Sequence, residues 1–125
     1  MSEADHQIAV VQYLRLKKIP HVATMNENIW SGVIRALLGR ALATKIISAI
    51  SAKMTRMGKA KGVTDLFIAV PSNGHCGLWI EMKSKKGRVT KEQDTFMKTM
   101  IMNGYSARVC RSAGEAIKAI DDYLE

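Results

Sequence analysis

Cysteine is nearly absent from this chain: Cys76 and Cys110 are all there is, and they fit neither a metal-ligand spacing nor a disulfide framework. That excludes a stapled secreted scaffold and leaves two reduced thiols, as expected in the cytoplasm. No run approaches the roughly 20 apolar residues that a membrane span needs. The opening Met1-Ser2-Glu3-Ala4-Asp5 is acidic where a secretory signal would be basic and then apolar. Internal repeats, low-complexity tracts and domain linkers are missing. So are a glycine-rich phosphate loop and a Gly-x-Ser-x-Gly elbow. His6, His21 and His75 share no spacing that suggests zinc. Acidic residues are missing from one long stretch: none occurs between positions 31 and 64.

What is present fits one globular domain over residues 1–125, with 47% hydrophobic and 24% charged residues. The net charge is +8, and the acid-free stretch carries nearly all of it through Arg35, Arg40, Lys45, Lys53, Arg56, Lys59 and Lys61. A solvated helix normally interleaves both signs, because like charges at i, i+4 repel. A one-sign segment therefore points to a polyanion, above all the phosphates of DNA. An anionic membrane is the poorer match, since the segment lacks the Trp- and Phe-studded face of interfacial helices.

The pattern predicts an α/β fold. Ser2 and Asp5 form a capping box for a helix running to about Lys18, before Pro20. A loop through Asn26-Glu27-Asn28 leads into one or two helices over 30–57, where Ala43, Ile46, Ile47, Ile50, Met54 and Met57 share an apolar face. Strands follow at 66–70 and 78–83, joined by a turn-rich loop with Asn73-Gly74. Thr90 with Gln93 starts a further helix, a short strand runs from Tyr105 to Arg111, and Ser112 with Glu115 caps the last helix.

Three acidic residues stand out. Period two puts Trp79, Glu81 and Lys83 on one sheet face. If the strands pair about the middle of the 71–77 loop, Asp65 falls opposite Lys83 and Phe67 opposite Glu81, so Asp65, Glu81 and Lys83 converge. Two carboxylates that close repel unless a cation lies between them. A divalent ion with oxygen ligands, Mg²⁺ or Mn²⁺, meets that need. On the first helix, Glu3, Gln7, Val10, Val11, Leu14 and Lys18 form one stripe, so Glu3 ends the inward face while Asp5 and His6 point elsewhere. The plainer alternatives are an edge ion pair for Glu81 and Lys83, a dipole-facing first-turn carboxylate for Glu3, and a capping role for Gln93.

In order, Glu3 and Gln7, Gly62-Val63-Thr64-Asp65-Leu66, Glu81-Met82-Lys83, Gly87-Arg88-Val89-Thr90, Gln93 and Gly104-Tyr105 resemble the VRR-NUC family of the PD-(D/E)XK nucleases, stand-alone phage or bacterial type. Many relatives carry proline where this chain has Thr64, and the basic 31–57 segment is long for the family. The resemblance implies a restriction-endonuclease-like core, a small mixed sheet flanked by helices, with the basic helical segment added at about 31–57. It implies that Glu3, Asp65, Glu81 and the Met82 carbonyl hold Mg²⁺ or Mn²⁺, that Lys83 serves the attacking water, and that Gln93 supports it. It further implies a homodimer that cuts branched DNA such as four-way junctions. Lys85, Lys86 and Arg88 join the seven central cations as candidate DNA contacts. The rival function is a non-catalytic DNA-binding accessory module whose acids merely pair.

Overall fold

The computed structural model describes residues 1–24 and 27–125, without the side chains of residues 27–29. Its elements are α1 (Glu3–Leu16), β1 (His21–Ala23), α2 (Glu27–Leu38), α3 (Arg40–Arg56), β2 (Leu66–Ile68), β3 (Leu78–Met82), α4 (Lys91–Met102), β4 (Ser106–Cys110) and α5 (Ala113–Leu124). They divide into two compact units. The first comprises residues 1–24 and 62–125, and α2 and α3 belong to the second.

The first unit is built on a four-stranded mixed sheet in the order β1-β2-β3-β4. β1, β2 and β3 run antiparallel, and β4 lies parallel to β3. A parallel neighbour needs a crossover, which α4 supplies. Alternation then makes two layers of core. Leu66, Ile68, Leu78, Ile80 and Met82 are buried with Val10 and Leu14 of α1 and Ala116, Ile120 and Tyr123 of α5. Each large apolar side chain so buried contributes about 1.5–3 kcal/mol. The opposite face carries Phe67 and Trp79, with ring centroids 4.4 Å apart, and Phe96 of α4 meets Trp79 edge-on at 5.1 Å. The result is the expected α/β class, a small mixed sheet with helices on both faces.

Several local expectations change. The hairpin is centred on the Ser72–His75 bridge rather than on residue 74, and the ladder pairs Leu66 with Ile80 and Phe67 with Trp79. Asp65 is therefore level with Glu81, two positions from the expected Lys83. A shift of two leaves every side chain on its original face. Strand β1 was not expected, because three residues after a proline are too few to show a period; its ladder with β2 makes it. The Ala69 N–H bonds Pro20 O at 2.9 Å and extends that ladder. Helix α1 stops at Leu16, and Lys18, expected within it, turns to a positive φ of 56° ahead of Pro20. Glu27 and Asn28, expected in a loop, open α2, because polar residues suit a first turn as readily as a loop; Asn26 lies outside the described residues. At α5, Ser112 Oγ accepts from Glu115 N as expected, but the Glu115 carboxylate turns to the Arg111 N–H at 2.5 Å instead of closing the box.

In the second unit, Gly39 at φ 77° breaks the segment into two helices. Ala43 and Ile47 are buried and Ile46 and Met54 half-buried, whereas Ile50 and Met57 are 37% and 77% exposed, so the predicted apolar face is covered only in part.

Candidate active site

Three carboxylates from distant parts of the sequence meet in the first unit. Glu3 comes from the first turn of α1, Asp65 from the entry to β2, and Glu81 from β3. One oxygen of each lies within 4.8 Å of the others. Among the described residues, no other trio of His, Cys, Asp or Glu converges in this way. Asp65 and Glu81 are 6% and 1% exposed, and Glu3 is half-buried.

Backbone contacts hold the trio. Asp65 Oδ2 accepts the Met82 N–H at 2.8 Å, tying the entry of β2 to the residue after Glu81. Thr24 donates its hydroxyl to Thr64 O at 2.7 Å and its N–H to Asp65 O at 2.8 Å. The chain thus leaves this unit and returns to it beside Asp65. Gly62 has φ 84°, and a Cβ there would lie 2.4 Å from Glu92 C and O and 2.8 Å from Gln93 N. Only glycine lets the Asp65 segment pass so close to the start of α4.

The electrostatics are unbalanced. Lys83 Nζ lies 3.8 Å from Glu81 Oε2, one ammonium against three carboxylates. Glu81 Oε1 is buried with no hydrogen-bond partner. Burial, first, and then the neighbouring Asp65 push the Glu81 carboxyl up to about 9, and Glu3 adds to the rise; Lys83 opposes it. A buried, unsatisfied acceptor in an all-oxygen donor set fits a hard divalent cation.

The remaining sequence candidates are spread more widely. Gln93 is in the cap of α4: its Oε1 accepts the Thr90 N–H at 2.9 Å, and its own N–H bonds Thr90 Oγ1 at 3.1 Å. Met82 is buried between Glu81 and Lys83. Lys85, Lys86 and Arg88 are exposed on the turn that follows Lys83. In the second unit, Arg35, Arg40, Lys45, Lys53, Arg56 and Lys61 are exposed and Lys59 is half-buried. None of these seven makes a salt bridge to a described residue. Sequence reasoning missed Thr24, whose partners lie 40 residues away. In the sequence Gly62 reads as linker punctuation, with Gly58, and as part of the family string, although a glycine just before a strand is also a signal of close backbone approach.

Fold and site together define an α/β domain with a carboxylate-and-lysine centre where the two central strands, β2 and β3, meet the first turn of α1. Residues 2–114 match the VRR-NUC domain, and the chain belongs to that family. A solved structure described as a VRR_NUC domain protein is similar at 32% identity with a TM-score of 0.56, over 58% of this chain. The chain spans 60% of the length of that structure. No curated protein matches. The family is one of nuclease-type domains. No helix among the described residues is long and apolar enough to cross a membrane.

Proposed function

We propose that the chain is a divalent-metal-dependent endonuclease that hydrolyses phosphodiester bonds in branched DNA, four-way junctions above all. The observation that carries this reading is the convergence of Glu3, Asp65 and Glu81 within 4.8 Å. A binding-only module would have to keep three acidic groups together around a single ammonium, with Glu81 buried in its protonated form and one of its oxygens unsatisfied, to no purpose.

Glu3, Asp65, Glu81 and the Met82 carbonyl would hold the ion. Mg²⁺ or Mn²⁺ in that place supplies charge neutralisation at the phosphate and a water of lowered pKa. Lys83, half-buried beside Glu81, orients the attacking water and stabilises the charge that builds on the phosphate oxygens. Gln93, held in the α4 cap, supports that arrangement from the helix that Gly62 abuts. The exposed cations of α2 and α3, with Lys85, Lys86 and Arg88, bind phosphates without reading sequence.

Two copies related by a two-fold axis would suit a junction of the same symmetry, with the exposed Ile50 and Met57 near the interface. The protein would act in the cytoplasm, where DNA and Mg²⁺ are both at hand. The test is a panel of four-way, flap, splayed and linear DNA, with Mg²⁺ or Mn²⁺, alongside light scattering. A dimer that nicks opposed strands of the junction is expected. A 13.8 kDa monomer that cuts linear duplex equally fast would remove the junction and dimer assignments together.

A further inference from the structure

Arg111, which the proposed reaction does not use, holds the turn after Lys83 from within. Its Nη1 donates to Gly87 O at 2.6 Å and Ser84 O at 2.9 Å, with Lys85 O at 3.5 Å. The Gly87 N–H closes the same turn on Ser84 O at 3.1 Å. A Cβ at Gly87 would sit 3.0 Å from Ser84 Oγ and 3.5 Å from Lys83 Cδ, so the turn closes beside the lysine stem. One residue earlier, the Lys83 N–H bonds Cys110 O at 2.9 Å, next to Arg111 in the chain. Lys83 and its turn are thus fastened to two consecutive residues at the end of β4.

The charges around this clamp point the same way. With its carbonyls gathered on Arg111, the turn leaves Lys85, Lys86 and Arg88 exposed. No carboxylate pairs with the Arg111 guanidinium among the described residues; Glu115 accepts from its backbone N–H instead. Four cations therefore share one short turn and its anchor, an arrangement that costs free energy unless a polyanion lies across it. All three contacts run through the one nitrogen Nη1, whose two N–H groups match the two short ones, to Gly87 O and Ser84 O.

We propose that Arg111 is a positioning residue. By clamping the Ser84–Gly87 turn, it keeps Lys83 beside Glu81 and presents Lys85 and Lys86 to the DNA strand next to the scissile phosphate. This rests on the nuclease reading of the same site.

The test compares full-length wild type, Arg111→Ala and Arg111→Lys by hydrogen exchange, Mn²⁺ titration and single-turnover cleavage. Residues that orient a metal site through other groups typically cost about 10–100-fold in activity when removed. The expected result for Arg111→Ala is a drop of that size in the cleavage rate at saturating DNA. Gly87 amide exchange should be about tenfold faster or more, while Leu78–Met82 stays protected and Mn²⁺ affinity changes little. If Arg111→Ala does not fold, Arg111→Lys is judged by the same readouts, because it keeps the charge on a shorter side chain without the planar group that aims Nη1. Unchanged exchange at Gly87 would overturn the proposal, as would a loosened turn with full cleavage or a rise in exchange across the whole sheet. A wild type that binds Mn²⁺ but cuts no DNA would remove the nuclease reading, and the catalytic purpose of the clamp with it; the exchange comparison, which needs no substrate, separates that outcome from failure of the clamp itself.

Discussion

The Asp65 carboxylate accepts the Met82 N–H at 2.8 Å, so the strand that brings Asp65 is locked to the residue following Glu81. One oxygen of Asp65 is thereby committed, and the side chain cannot swing away from its neighbours. Asparagine retains an acceptor oxygen for that bond. Asp65→Asn should therefore fold as the wild type does and lose cleavage by about a thousandfold, the equivalent of several kcal/mol of transition-state stabilisation. Lys83→Ala should be similarly inactive with DNA affinity largely kept. Turnover near the wild-type rate by Asp65→Asn would remove the assignment.

Glu81 gives a pH signature. Its carboxyl is raised to about 9 in the metal-free fold, against an ordinary 4.5. Between those values the folded protein holds a proton that the unfolded chain has lost. Stability without metal must therefore fall as pH rises through that window. Thermal melts in chelator should be lower at pH 8 than at pH 6, and Glu81→Gln should flatten the difference. Parallel pH curves for the two proteins would contradict this placement of Glu81.

The same proton must leave when an ion binds. Below pH 9, Mn²⁺ binding should release up to one proton per ion, and the apparent affinity should climb by up to about tenfold per pH unit. Calorimetry in buffers of different ionisation enthalpy reads this directly; binding with no proton release would show the ion bypassing Glu81.

Gly62 sets how closely the Asp65 segment approaches α4. Gly62→Ala combines a positive φ with contacts of 2.4 Å to Glu92 backbone atoms, and should cost about 1–3 kcal/mol. Gly32→Ala, in open space on α2, should be neutral or slightly stabilising. Equal melting shifts for the two would dismiss the close approach.

Much of this was legible in the sequence, for identifiable reasons. Period two placed Glu81 and Lys83 on one face, and helical phasing separated Glu3 from the exposed Asp5. The capping boxes at Ser2 and Thr90 depend on side chains three residues apart, and both are present. What failed depends on distant partners. Strand β1 exists only through its ladder with β2, and the hairpin register turned on where the Ser72–His75 bridge fell. The hold of Thr24 on Thr64 and Asp65 spans 40 residues and leaves no local trace.

DNA affinity should follow the acid-free segment. If about four of its seven cations touch duplex phosphates, the slope of log K against log[salt] is about −3.6 per protomer. Replacing Lys45, Lys53 and Arg56 with alanine should weaken binding to all sequences alike and make that slope shallower by up to about 3. An unaltered slope would place the DNA elsewhere.

The most direct measurement is single-turnover cleavage of a labelled four-way junction by wild type and Glu81→Gln, each with Mg²⁺, with Mn²⁺ and with chelator. Wild type should cut with either ion and stop in chelator, while Glu81→Gln, folded and DNA-bound, should stay inactive throughout. Cleavage that persists in chelator, or a Glu81→Gln protein as fast as the wild type, would contradict a carboxylate-held metal as the centre of the proposed nuclease.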